Sequence, residues 1–149
     1  YWRFVPPLDR STYVVFGRVI AETIWGDAPF YALTEVGGAI RGESGGSSRT
    51  LRGYASRRYA DRTKVLTNME LRRFLKPREI RGQNLETQAV VFADLGRVSP
   101  SLSQWRPSDL HASGGVGVLV NWNAQLSLRL DLASSPEGDA VLLSFGQVF

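Results

Sequence analysis

Leu126, Leu128, Leu130 and Leu132 alternate with Ser127, Arg129, Asp131 and Ala133, with Gln125 just ahead of them. A period of two places four leucines on one face of an extended strand and the polar side chains on the other. The same alternation recurs along most of the chain. Val116, Val118, Val120 and Trp122 oppose Gly115, Gly117, Leu119 and Asn121. Ala89, Val91, Ala93 and Leu95 oppose Val90, Phe92, Asp94 and Gly96. Val65, Met69 and Leu71 oppose Leu66, Asn68, Glu70 and Arg72. Tyr13 to Trp25 reads as a long strand with one uncharged parity and one mixed parity carrying Arg18 and Glu22. The pattern predicts an all-β chain of about seven to eight antiparallel strands, counting a partial strand at Tyr1–Val5.

The connections differ in length. Pro77–Gly82, Asn123-Ala124 and Ser134–Gly138 read as turns, whereas residues 27–60 form a long segment with Gly37-Gly38, Gly42 and Gly45-Gly46. So long a connection is either disordered or functional. Short turns alternating with long loops fit a transmembrane antiparallel β-barrel or part of one. A soluble sandwich or small ligand-binding barrel has the same period, with the leucines turned inward. No apolar run approaches the roughly 20 residues of a membrane-spanning helix. The 43% hydrophobic content suits either β architecture, since a barrel shows only half of each strand to lipid.

Composition excludes several chemistries. The chain has no cysteine and one histidine, so thiolate and histidine metal sites are not expected, and no cofactor is implied. The net charge of +4 comes mainly from scattered arginines without a basic run, which does not suggest nucleic acid as a partner. His111 lies near Ser108, Asp109 and Ser113 in a Pro/Ser/Gly-rich stretch, with no base oriented from elsewhere to make a hydrolytic triad. Gly42, Gly45 and Gly46 lack the lysine of a phosphate loop. The residues therefore suggest a protein that is not an enzyme.

The last strand, 139–149, places Val141, Leu143, Phe145 and Phe149 on one parity, with Gly146 three residues before the terminal aromatic. Leu51-Arg52-Gly53-Tyr54, preceded by Gly37-Gly38, is followed in order by four further elements. These are Asn68–Arg72, Val91–Val98, Gly115–Gly117 and Leu128–Ala133, and the Phe145–Phe149 ending completes the series. Together they resemble the carboxy-terminal part of the Omp85 superfamily barrel, the surface-antigen (D15-like) group of assembly factors and two-partner secretion transporters.

The resemblance covers nearly all of residues 1–149 and implies a bacterial outer-membrane location with the bilayer as a partner. Unfolded barrel proteins or secreted proteins would be clients, pairing as strands with the barrel edge during insertion or translocation. It implies that loop 27–60 folds into the lumen, where Arg52 is clamped by Glu70 and Asp94 while Gly53 bends the chain and Tyr54 wedges on the wall. Val141, Leu143, Phe145, Gly146 and Phe149 would form the C-terminal strand signal. Full family barrels have more strands than this chain supplies, so it would be a fragment of a larger barrel, a natural half-size barrel or an excised piece able to fold alone, and closing it would take an eighth strand from residues 1–10 or dimerisation with a second chain. The alternatives are a structural or anchoring barrel without transport and a soluble ligand-binding β-barrel.

Overall fold

The computed structural model describes residues 13–27, 29, 33–36, 38–39, 49–55, 58–80, 82–101, 103–104, 109–123 and 126–147. Its strands in chain order are β1 (Tyr13–Thr23), β2 (Thr34–Val36), β3 (Gly38–Ala39), β4 (Arg49–Leu51), β5 (Tyr59–Asp61) and β6 (Thr63–Phe74). They are followed by β7 (Arg78–Ile80), β8 (Gln83–Ser99), β9 (His111–Trp122), β10 (Leu126–Ser135) and β11 (Gly138–Gln147). Six of them form one antiparallel sheet in the order β1-β6-β8-β9-β10-β11, and β7 pairs with β8 as a seventh strand.

Register ties the alternation of each strand to that of its neighbour. Val15, Leu71, Val91, Val116, Leu132 and Val141 stand opposite one another in a single row across all six strands. A slip of one residue would bring Glu70 or Arg72 into this row on β6, or Asp131 on β10, so the pattern favours this register. The leucine-bearing parity is exposed: Leu130 is 43% exposed, Leu132 51% and Phe145 63%. The opposite parity is covered, with Asn68, Glu70, Gln88, Val90, Phe92, Asp94 and Asp131 all buried.

What covers the polar face is the described part of the segment between β1 and β6, above all β4 and the turn after it. This segment is not a structureless loop. β2 pairs with β5 and β3 with β4, giving two short antiparallel ribbons. Leu51 and Tyr54 pack with Leu66 of β6 as a small buried core, flanked by Ile20, Tyr59 and Val98. The main core therefore lies between the segment and the sheet. The leucine stripe contributes nothing to it.

Other expectations need adjusting. β8 begins before the expected residue 87, because Arg78–Ile80 folds back on Gln83–Leu85 in a hairpin with Gly82 at φ +74°. His111 is the first residue of β9, opposite Gly96, and not part of a loop. β1 stops before Trp25, which is 84% exposed. The partial strand expected at Tyr1–Val5, the glycines at 37, 42, 45 and 46, and Val148 and Phe149 lie outside the described residues.

The closed transmembrane barrel is corrected by the sheet order. Among the described residues β1 and β11 are the two ends of an open sheet, and no ladder joins them. A spanning barrel must close, because each open edge leaves a row of unpaired N–H and C=O groups in hydrocarbon. The covered face also holds a dense, buried charged network, unlike the open lumen of an insertion pore. Several expectations rested on closure and fall with it. These are Omp85 membership, client-strand insertion, a bilayer or unfolded-client partner, dimeric barrel closure and outer-membrane location. No helix among the described residues is long and apolar enough to cross a membrane.

Candidate functional site

The densest chemistry lies where the turn after β4 meets β6, β8 and β10. Gly53 has φ +87°, a left-handed conformation that a side chain would strain. Its carbonyl accepts a hydrogen bond from Ser135 Oγ at 2.8 Å, which ties the turn to the end of β10. Tyr54 is buried and its hydroxyl donates to the Ala112 carbonyl at 3.0 Å. Held at Leu51 and at Tyr54, the turn points Arg52 into the polar face, where it is 5% exposed.

The Arg52 guanidinium is engaged on both edges and on one face. Nε donates to Asp94 Oδ2 at 2.6 Å and Nη2 to Asp94 Oδ1 at 2.6 Å, a bidentate pair. Nη1 donates to Glu70 Oε1 at 2.8 Å and lies 3.5 Å from Asp131 Oδ2. The Arg52 backbone N–H adds a bond to Asp94 Oδ2 at 3.2 Å. Cζ sits 3.5 Å from the centre of the Phe92 ring, a cation–π contact.

Each acidic wall residue is also held by something other than Arg52. Asn68 Nδ2 donates to Asp94 Oδ1 at 2.7 Å, and Asn68 Oδ1 accepts from Arg18 at 2.8 Å. Arg72 donates to Glu70 Oε2 at 2.7 Å. Arg129 reaches Glu70 Oε1 at 2.8 Å and pairs with Asp131 through Nε at 2.8–2.9 Å. Burial pushes the Arg52 pKa down, but Asp94 and Glu70 more than offset this and the net movement is upward. Arg129 moves upward for the same reason, through Glu70 and Asp131.

Glu70 gives the site a pH dependence. Burial raises its pKa, but Arg129, Arg72 and Arg52 outweigh that and hold it at about 2, against an ordinary 4.5. A carboxylate depressed in the folded state stabilises the fold above its unfolded pKa and loses that contribution as pH falls through the folded one. The stabilisation is therefore full above about pH 4.5 and disappears toward about pH 2, on the order of 3 kcal/mol in total. Urea midpoints measured across this window should fall more steeply for the natural chain than for Glu70→Gln. Parallel curves would show that Glu70 is not held this way.

A second, exposed contact ties the end of the segment to the β10–β11 turn. Arg58 Nε donates to both Glu137 oxygens at 2.9 Å, and the Tyr59 hydroxyl donates to Glu137 Oε1 at 2.6 Å. The hydrogen bond from Tyr59, more than the Arg58 charge, holds Glu137 below the usual carboxylate range. His111 stacks on Tyr59 with ring centres 3.7 Å apart. Ser113 faces Asp94 across the ladder, but its buried hydroxyl has no hydrogen-bond partner among the described residues. Asp94 is already taken by Arg52, so His111, Ser113 and Asp94 are not arranged as a hydrolytic triad.

Of the sequence-expected residues, the structure brings Arg52, Glu70 and Asp94 into direct contact, with Gly53 and Tyr54 fixing the turn. Val141, Leu143 and Phe145 lie exposed on edge strand β11, on the face opposite this cluster although Val141 and Leu143 flank the register partner of Asp131, and Gly146 pairs with Ser127. Sequence reasoning missed Asp131, Arg129, Asn68 and Phe92. Arg129 and Asp131 carried a readable signal as opposite charges two apart on the polar parity of one strand. Among the described residues no group of three or more His, Cys, Asp or Glu side chains is arranged for a metal ion. No family model, curated protein or solved structure matches this chain.

Proposed function

We propose that the chain is a non-catalytic, structural β-sheet unit that holds residues 49–55 as a strap across its polar face. The observation that carries this reading is the charge network. Arg52 spends its guanidinium on three carboxylates of the sheet, which occupies the groups a catalytic site on that face would need free. The opposite face supports an association role. Leu71, Val91, Val116, Val118, Leu130, Leu132, Val141 and Leu143 are all exposed on it. Register places them in two adjacent rows, so together they form one contiguous apolar patch of the kind that marks an association surface.

Hydrogen exchange tests the strap. The Arg52 N–H is bonded to a buried carboxylate, so peptides covering 49–55 should exchange about as slowly as those from β6 and β8. Exchange at the rate of an exposed turn would sink the reading.

A further inference from the structure

The pocket around Arg52 has a property that the strap reading does not require. Its walls are assembled without Arg52. Asp94 is positioned by Asn68, which is in turn held by Arg18; Glu70 is positioned by Arg72 and Arg129, and Asp131 by Arg129. All of these residues stand on long sheet strands, and none is on the strap. The strap side has shorter ladders, two residue pairs between β3 and β4 and three between β2 and β5, and meets the sheet through the apolar contact of Leu51 and Tyr54, the hydrogen bonds at Gly53 and Tyr54, and the exposed Glu137 contact.

The pocket's shape fits one chemical group. Asp94 takes one edge of a planar fork, Glu70 and Asp131 meet its far nitrogen, and the Phe92 ring lies against its face. An ammonium ion is a point donor without a flat face or a two-nitrogen edge, so it cannot satisfy Asp94 bidentately while stacking on Phe92. Charge points the same way. Glu70 and Asp131 are paired with Arg72 and Arg129 on the wall, whereas Asp94 has its ion pair with Arg52, so withdrawing Arg52 takes the cation from Asp94.

We propose that this pocket is a preformed guanidinium receptor which Arg52 occupies in cis, and which accepts an arginine side chain from another peptide when the strap lifts. The ligand class is a peptide presenting arginine in a tight turn, as Leu51-Arg52-Gly53-Tyr54 does. The inference rests on the strap reading and extends it, since exchange has meaning only if the strap is bound at rest.

The test uses the full chain with Arg52→Ala. Guanidinium ion at low millimolar concentration, far below denaturing levels, should raise its denaturation midpoint saturably and recover most of the loss. Sodium or methylammonium at equal ionic strength should do neither, and the natural chain should not respond. Equal effects of guanidinium and methylammonium would overturn the proposal. If Arg52→Ala does not fold, the natural chain decides. Excess Leu-Arg-Gly-Tyr peptide should speed exchange in residues 49–55, and Leu-Lys-Gly-Tyr should not. Equal behaviour of the two peptides again rejects the receptor. A strap that exchanges fast with no peptide present would instead reject the strap reading itself, so the two failures are distinguishable.

Discussion

Replacing Arg52 by alanine is expected to cost about 3–5 kcal/mol of folding stability, the range for removing one partner of a buried ion pair. The reason lies in what remains. Asp94 is fully buried and Asp131 2% exposed, and neither can regain water without opening the strap. A loss of this size is a large fraction of the 5–15 kcal/mol typical of a domain, so part of the population could be unfolded at ambient temperature. Arg52→Lys keeps the charge but not the fork, and should lie between alanine and the natural residue. The decisive comparison is the double substitution Arg52→Ala/Asp94→Ala. Once Asp94 is gone, losing Arg52 strands one fewer carboxylate. The double variant should therefore be more stable than the sum of the single losses predicts, by at least about 1 kcal/mol. Additive losses in urea denaturation would mean that the pair is solvated and contributes little.

That network shows which parts of the structure were readable in the sequence. The two-faced strands were, because alternation is local and each strand carries its own copy: the β6 and β10 boundaries lie within two residues of the pattern. Closure was not. Whether the first strand meets the last is a property of residues more than a hundred positions apart, and an open sheet and a barrel share the same period. The covered polar face was misleading for the same reason. A polar parity lining a lumen and a polar parity under a strap have identical patterns, and only the contacts of Leu51, Arg52 and Tyr54 distinguish them. Asp131 escaped notice because its partner Arg129 reads as an ordinary same-strand pair. Its contact with Arg52 depends on the register across β8, β9 and β10. The exposed leucines resemble a core stripe in any window. Nothing local says that the stripe has no second layer over it.

Gly115→Ala should be nearly as damaging as the loss of Arg52, although it removes nothing. A Cβ at Gly115 would strike the Leu132 carbonyl oxygen, lie 2.6 Å from the Phe92 ring and 3.0 Å from the Ala133 Cα. Two of these three neighbours are backbone of the adjacent strand and cannot rotate away. Overpacking of this kind typically costs 1–3 kcal/mol, and the rigidity of the neighbours puts this site at about 3 kcal/mol.

The reason for a glycine here is the close approach of the β10 main chain and the Phe92 ring, which leaves no room for a Cβ. Gly117 meets a different obstacle: its Cβ would collide with Asp131 Oδ1, a side-chain atom, and come within 2.9 Å of the Leu130 carbonyl. The two substitutions therefore separate by mechanism. Gly117→Ala should lose much of its effect in an Asp131→Ala background, because the colliding oxygen is gone. Gly115→Ala should keep its full effect there, because its obstacles are main chain and Phe92. If Asp131→Ala relieved both equally, the β9 glycines would matter only through general strand strain, and the assignment of a separate obstacle to each would fail.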